Sequence, residues 1–139
     1  MNGNVFLDTN ILVYLYSNSE PQKRNLSISL LKDYYCVTST QALKEFCNVF
    51  IKKYRMPNDS IKAAINSISM SCPVQHVTEN TVVNALDLNK RYGYSYYDCL
   101  MLVSALESNC DVLFSEDMGD GHIIENKLKI VNPYKGHEL

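Results

Sequence analysis

The chain has no tryptophan, only five glycines and four prolines, and no long apolar run. Scarce glycine and proline exclude a collagen-like or low-complexity polymer. No stretch approaches the roughly 18 apolar residues that a bilayer-spanning helix needs, so no membrane span is expected. Cysteine is present, at 36, 47, 72, 99 and 110, but the count is odd and no pair has CxxC spacing. A disulfide framework or a zinc ribbon is therefore not suggested. The five read as buried free thiols in a reducing compartment, which points to the cytoplasm. Val5-Phe6-Leu7 is cut short by Asp8-Thr9-Asn10 with no basic segment before it, so it does not read as a signal peptide. The closing Gly136-His137-Glu138-Leu139 resembles an endoplasmic-reticulum retention tail only superficially. An excess of positive charge is also missing: 13 Lys and Arg stand against 15 Asp and Glu, a formal net charge of −2. That excludes a generally basic nucleic-acid coat and leaves room for a local basic patch. There is no Gly-rich phosphate loop, no GxSxG elbow and no HExxH. His76, His122 and His137 have no metal-ligand spacing among themselves.

What is present is an ordinary globular composition. The 139 residues are 46% hydrophobic and 20% charged. This length suits a single domain over residues 1–139, with roughly two-thirds of the unfolded surface buried. Strand-like and helix-like segments alternate. Short apolar runs at Val5–Leu7, Cys36–Thr38, Val74–Val77, Val112–Phe114 and Leu128–Val131 read as buried strands. Helices are expected over residues 10–16, from Pro21, from Thr40, around Ser60–Ser69, from Thr78 to Tyr92 and from Ser95 to Leu106. Such alternation implies an α/β sandwich around a mostly parallel sheet. In such sheets sites lie beyond the carboxyl ends of the strands.

That rule directs attention to the acids. Asp8 follows the first strand, where it serves equally as a helix cap or as a functional group. Asp98 lies in a helix that is apolar nearly all round, where an unpaired carboxylate is expensive. Ser95-x-x-Asp98 also has capping-box spacing, and the two roles are compatible. Ser115-Glu116-Asp117-Met118-Gly119-Asp120 puts three acids in one loop after a strand, where like charges repel unless a cation is present. Glu45 falls opposite the apolar stripe formed by residues 43, 46, 47, 50, 51 and 54, so periodicity alone makes it a solvated residue. If these acids converge, they make a hard oxygen site suited to Mg²⁺ or Mn²⁺. No Lys or Arg in their immediate sequence neighbourhood is an obvious neutraliser. The chemistry that wants such a site is phosphodiester hydrolysis by metal-activated water.

At these residues the sequence resembles the PIN-domain ribonucleases, most closely the VapC-like toxins of toxin–antitoxin pairs. The resemblance is carried by Phe6-Leu7-Asp8-Thr9-Asn10-Ile11-Leu12-Val13-Tyr14, Thr40-Gln41-Ala42-Leu43-Lys44-Glu45-Phe46, Tyr94-Ser95-Tyr96-Tyr97-Asp98-Cys99-Leu100 and Leu113-Phe114-Ser115-Glu116-Asp117-Met118. The ending Ile130-Val131-Asn132-Pro133-Tyr134 is similar too. The resemblance implies a three-layer α/β sandwich with a central five-stranded parallel sheet. It implies a Mg²⁺- or Mn²⁺-dependent endoribonuclease, inhibited by a cognate antitoxin and acting as a homodimer. Carried over by motif, Asp8, Glu45, Asp98 and Asp117 are the catalytic acids. Asp8, Asp98 and Asp117 hold the principal metal. Thr9 and Ser115 line the site, Asp120 is a further acid in it, and Glu116 points away.

Other readings compete. A phospho-acceptor domain wants an acidic pair after the first strand, and this chain has only Asp8. A phosphatase with an Asp-x-Asp nucleophile is disfavoured by Asp8-Thr9-Asn10. A PIN-like module that binds RNA or protein without cutting stays open as the alternative. Lys52-Lys53-Tyr54-Arg55 and Lys90-Arg91-Tyr92 close two helices, where cations ordinarily just complement the dipole. Their tyrosines are the kind that stack on RNA bases.

Overall fold

The computed structural model describes residues 3–136, so His137 and most of the Gly-His-Glu-Leu ending lie outside the described residues. The chain runs β1 (Asn4–Leu7), α1 (Thr9–Tyr16), α2 (Pro21–Asp33), β2 (Tyr35–Ser39), α3 (Thr40–Lys52) and α4 (Asn58–Ser71). It continues as β3 (Val74–Gln75), α5 (Glu79–Tyr92), α6 (Tyr96–Glu107), β4 (Val112–Phe114), β5 (Ile123–Ile124) and β6 (Leu128–Val131). The helices start where the sequence supplies caps. Asp8, Ser39, Thr78 and Ser95 each accept a backbone N–H of the following turn through a side-chain oxygen. Thr78 and Thr81 form a reciprocal capping box, and Gly93 ends α5 with φ at 79°, a conformation glycine adopts without penalty.

The strands form one sheet in the order β3-β2-β1-β4-β6-β5. The pairings among β3, β2, β1, β4 and β6 are parallel, while β5 joins β6 antiparallel. The expected five parallel strands are present, and the sheet has a sixth at its edge. That strand has only two residues. Its hairpin turns on Glu125 and Asn126, which both take positive φ, 54° and 55°. This geometry usually announces itself by Asn-Gly or Asp-Gly, and neither is here.

Phe6, Leu7, Leu113 and Ile130 of the central strands are fully buried. The helices pack their apolar sides over both faces, and α6 is buried from Cys99 through Ala105. Four of the five cysteines are buried and all are free; Cys47 is half-buried. Burial pushes the Cys36 thiol up to about 12 and the Cys72 thiol to about 11, which keeps both inert as nucleophiles. Among the described residues no helix is long and apolar enough to cross a membrane.

The topology fixes one crevice. From β1 the chain moves outward through β2 to β3, and β4 and β6 then add on the other side of β1. Loops leaving the carboxyl ends of β1 and β4 thus depart in opposite directions, and such a switch point opens a crevice between them. Leu7 and Phe114 are paired at those ends, so the next residues, Asp8 and Ser115, stand side by side there.

Candidate active site

Asp8 anchors the crevice. Its N–H continues the ladder by donating to Phe114 O at 3.1 Å. Its carboxylate accepts the Thr9 N–H at 2.7 Å and the Ser115 hydroxyl at 2.7 Å. Capping and site-building are thus the same act, done by two oxygens of one side chain. Only 9% of Asp8 is exposed. Burial raises its carboxyl to about 6 against the two hydrogen bonds that lower it, and the nearby Glu45 and Asp98 push the same way.

The next two residues hold two other acids. The Thr9 hydroxyl donates to Glu45 Oε1 at 2.6 Å, and the second oxygen of Glu45 accepts from Gln41 Nε2 at 3.0 Å. Gln41 Nε2 also reaches Tyr97 O at 3.0 Å, tying α3 to the start of α6. Asn10 Nδ2 donates to Asp117 Oδ2 at 3.1 Å. Asp117 itself is set by Ser115, whose hydroxyl oxygen accepts the N–H of Asp117 at 3.3 Å and of Met118 at 3.4 Å. Asp98 sits in the first turn of α6, its N–H capped by Ser95 Oγ at 3.1 Å. Partial burial raises the Asp98 carboxyl, and Asp117 and Glu45 add to the rise.

Asp8, Thr9, Glu45, Asp98 and Asp117 line one open cleft of about 410 Å³. Ser115 lies buried beneath it, bonded to Asp8. Glu45 is half-buried at this cleft rather than solvated. The buried side of α3 is Gln41, Ala42, Phe46 and Phe50, while Leu43 is only partly buried and Ile51 is 51% exposed. The helix is rotated from the orientation the apolar stripe implies, and Glu45 moves to the rim of its packed face.

Asp120 is not brought to the cleft. Its carboxylate accepts the Asn132 N–H at 2.8 Å and pairs with Lys135 at 3.3 Å, both of which lower its pKa. Glu116, expected to point away, borders the cleft, held by the Tyr14 hydroxyl and by Lys23. Asn10 and Tyr14, to which the sequence gave no site role, line the same cleft, as do Lys53 and Tyr54, whose segment read as a dipole-complementing helix end with a tyrosine of the kind that stacks on RNA bases. The Lys53 signal was in the sequence: Glu45, Val49 and Lys53 are spaced four apart and share one helical face. The other basic segment is structural, since Arg91 and the Tyr92 hydroxyl both engage Glu125. His76 is exposed beyond β3, and His122 is bonded to the Tyr94 hydroxyl at 2.7 Å.

The donor set is oxygen throughout, which suits a hard divalent cation. Among the described residues no three His, Cys, Asp or Glu side chains are drawn together as a ready-made metal grip. Mg²⁺ does not require one, since it binds through one or two carboxylates and keeps several waters. Two features fit such an ion: the carboxyls of Asp8 and Asp98, raised first by burial and further by neighbouring acids, and the buried Asn10 Oδ1, which has no hydrogen-bond partner.

The family model of the PIN domain matches residues 5–119. The chain belongs to the PIN-domain family. Solved structures share its fold. A toxin–antitoxin complex from Klebsiella pneumoniae matches with a TM-score of 0.69 at 20% identity, covering 94% of this chain and 98% of that one. Mycobacterium tuberculosis VapC20, described as a sarcin-ricin-loop-cleaving toxin, matches at 0.66 and 20% identity, over 81% of this chain and 91% of its own. VapBC2 of Rickettsia felis, solved on a DNA fragment from its promoter, matches at 0.65 and 18% identity, over 93% and 99%. At these identities the likeness is one of fold. No curated protein matches the sequence. In this PIN domain the four acids named by motif come from four separate segments, and Asp8-Thr9-Asn10 bonds directly to two of the other three, α3 and the loop after β4.

Proposed function

We propose that this PIN domain is a Mg²⁺- or Mn²⁺-dependent endoribonuclease, a toxin neutralised by a cognate antitoxin. The observation that carries the reading is the convergence of Asp8, Glu45, Asp98 and Asp117 on one cleft at the switch point of the sheet. Asp8, Asp98 and Asp117 would hold the ion, with Glu45 as a fourth acid lining the same cleft. The ion supplies an acidified water and charge neutralisation at the leaving oxygen.

The chain's own residues supply the rest. Ser115 and the Thr9 N–H keep both oxygens of Asp8 oriented at the floor of the cleft. Thr9 and Gln41 hold Glu45 through one hydrogen bond to each of its oxygens. Asn10 turns Asp117 inward from its loop. Glu116, already paired with Lys23, contributes little free charge to repel a phosphate. The antitoxin and a second copy of the chain are the proposed protein partners. The first is suggested by the toxin–antitoxin origin of the similar structures. Val83 and Leu86, both more than half exposed on α5, provide apolar surface for protein contacts.

The test is cleavage of pooled tRNA, rRNA and mRNA by purified protein with Mg²⁺, with Mn²⁺ and with chelator, beside Asp98→Asn. Discrete metal-dependent cuts lost in Asp98→Asn are expected. Cuts that persist in the variant, or binding without cleavage under every metal, would replace the nuclease reading with that of a binding module.

A further inference from the structure

Two lysines stand at the acid cleft, Lys53 in its wall and Lys23 behind it on Glu116, and they are not equivalent. Lys23 is spent on Glu116 and lies against the rings of Tyr14 and Tyr134, 5.0 and 5.6 Å from their centroids. Lys53 has no carboxylate partner among the described residues, although it lines a cleft with five acids. A free cation at the rim of such a cleft is a ready acceptor for an anion.

Lys53 is also held in place. Phe46, Phe50 and Tyr54 recur every fourth residue along α3 and its last turn. Their rings pack in series, with centroids 4.6 Å and then 4.9 Å apart. The Tyr54 hydroxyl is tied to Ser17 at 3.1 Å and Ser19 at 3.3 Å, which fixes the ring. The Lys53 ammonium lies 5.4 Å from the centre of that ring, within cation–π range. Packed against Phe50 and lying under Lys53, the Tyr54 ring serves as a platform for the lysine. The helix dipole would favour Lys52 and Lys53 alike. Only Lys53 reaches the cleft.

We propose that Lys53, seated on Tyr54, binds the phosphodiester backbone of the RNA strand beside the scissile phosphate and sets where that strand enters the cleft. The identity of the polymer rests on the nuclease reading above. Eight residues separate Glu45 from Lys53, about 12 Å along the helix axis at 1.5 Å per residue. The contact is therefore with a flanking phosphate. Neutralising one phosphate releases counterions, so the contact carries a salt signature of its own.

The experiment measures binding of a fluorescent single-stranded oligoribonucleotide over a salt series, in an Asp98→Asn background that does not cut. Lys53→Ala is expected to weaken binding about tenfold at low salt, the scale of one charged contact. It should also reduce the salt slope by about 0.7, the contribution of one phosphate on a single strand. Lys53→Arg should keep both, and Lys52→Ala should leave the slope unchanged. A Lys53→Ala slope equal to the parent's would overturn the proposal, as would no binding in the Asp98→Asn background, or an equal loss in Lys52→Ala. The two readings fail separately. RNA bound with a Lys53-dependent slope but never cut under any metal would sink the nuclease and keep the contact. Metal-dependent cutting with KM unchanged in Lys53→Ala would sink the contact and keep the nuclease.

Discussion

Replacing Asp8 by Asn should make the metal-free protein more stable. Asp8 is 9% exposed and its carboxyl is raised from 3.8 to about 6. A raised carboxyl favours the protonated form in the folded state, so the charged side chain opposes folding above the folded pKa. Two units at 1.36 kcal/mol each make this opposition ~3 kcal/mol at pH 7.5. Asn removes the charge and keeps the shape. It also places an amide NH₂ where one of two donors, Thr9 N–H or Ser115 O–H, now meets an oxygen. That mismatch costs ~1–2 kcal/mol. The net gain is ~1–2 kcal/mol, or roughly 3–6 °C in Tm for a chain of this size. The advantage must depend on pH in one direction. It is full above pH 7 and shrinks as pH falls through about 6; the charge contribution behind it is gone only below 3.8, where Asp8 is protonated folded and unfolded alike. Urea unfolding in chelator at pH 7.5, 6 and 4.5 measures it. A variant less stable than the parent at pH 7.5, or a gap that does not narrow with acid, would refute the reasoning.

The remaining predictions concern the residues around that carboxylate. Mg²⁺ should raise the parent's Tm, by ~1.4 kcal/mol of stability at ten times its Kd, and Asp98→Asn should lose most of that rise in a thermal-shift titration. Thr9→Val removes the donor to Glu45 Oε1 and should cost ~1 kcal/mol and most of the cleavage rate, while Thr9→Ser retains both. Asp120→Asn should cut RNA at the parental rate, because its carboxylate serves Asn132 and Lys135 instead. Gly119→Ala puts a methyl 2.8 Å from the Tyr94 hydroxyl and should cost ~1–2 kcal/mol in chemical denaturation. Adding Tyr94→Phe should recover much of that loss, since the next ring atom lies at 3.9 Å.

Elements with a strong local signature were legible. Strands Val112–Phe114 and Leu128–Val131 stand where their apolar runs put them, and Thr78 and Gly93 bound α5 as their chemistry dictates. β5 was not legible because two residues carry no periodicity and its turn lacks glycine. Asp8 was legible from the strand-end rule alone, with its two roles undivided. Glu45 was legible only through family resemblance. A helix packed along Ala42, Phe46 and Phe50, with its outer isoleucine exposed, defeats a moment read from residue types. Asp120 and Glu116 were exchanged, for a reason no local pattern contains. Which acid of a loop turns inward depends on partners far along the chain: Tyr14 and Lys23 for one, Asn132 and Lys135 for the other.

The same long-range dependence explains why Asp8-Thr9-Asn10 says more than three polar residues at a helix start ordinarily would. A cap needs one acceptor, and Asp8 supplies it with a single oxygen. Were capping its whole purpose, the second oxygen would face solvent and Thr9 and Asn10 would be interchangeable with other first-turn residues. Instead Asp8 binds Ser115 after β4, Thr9 binds Glu45 of α3, and Asn10 binds Asp117 of the acidic loop. Together the bonds draw two other segments, the loop after β4 and α3, toward one point, and two of them bring in another carboxylate. Such an arrangement works against stability, because burial, with the neighbouring acids adding to it, raises the carboxyls of Asp8 and Asp98. A fold that needed only a helix cap would not accumulate that repulsion. The expense is explained if the repulsion is relieved by a bound cation, and the metal-dependent difference between the parent and Asp8→Asn measures how much of it is.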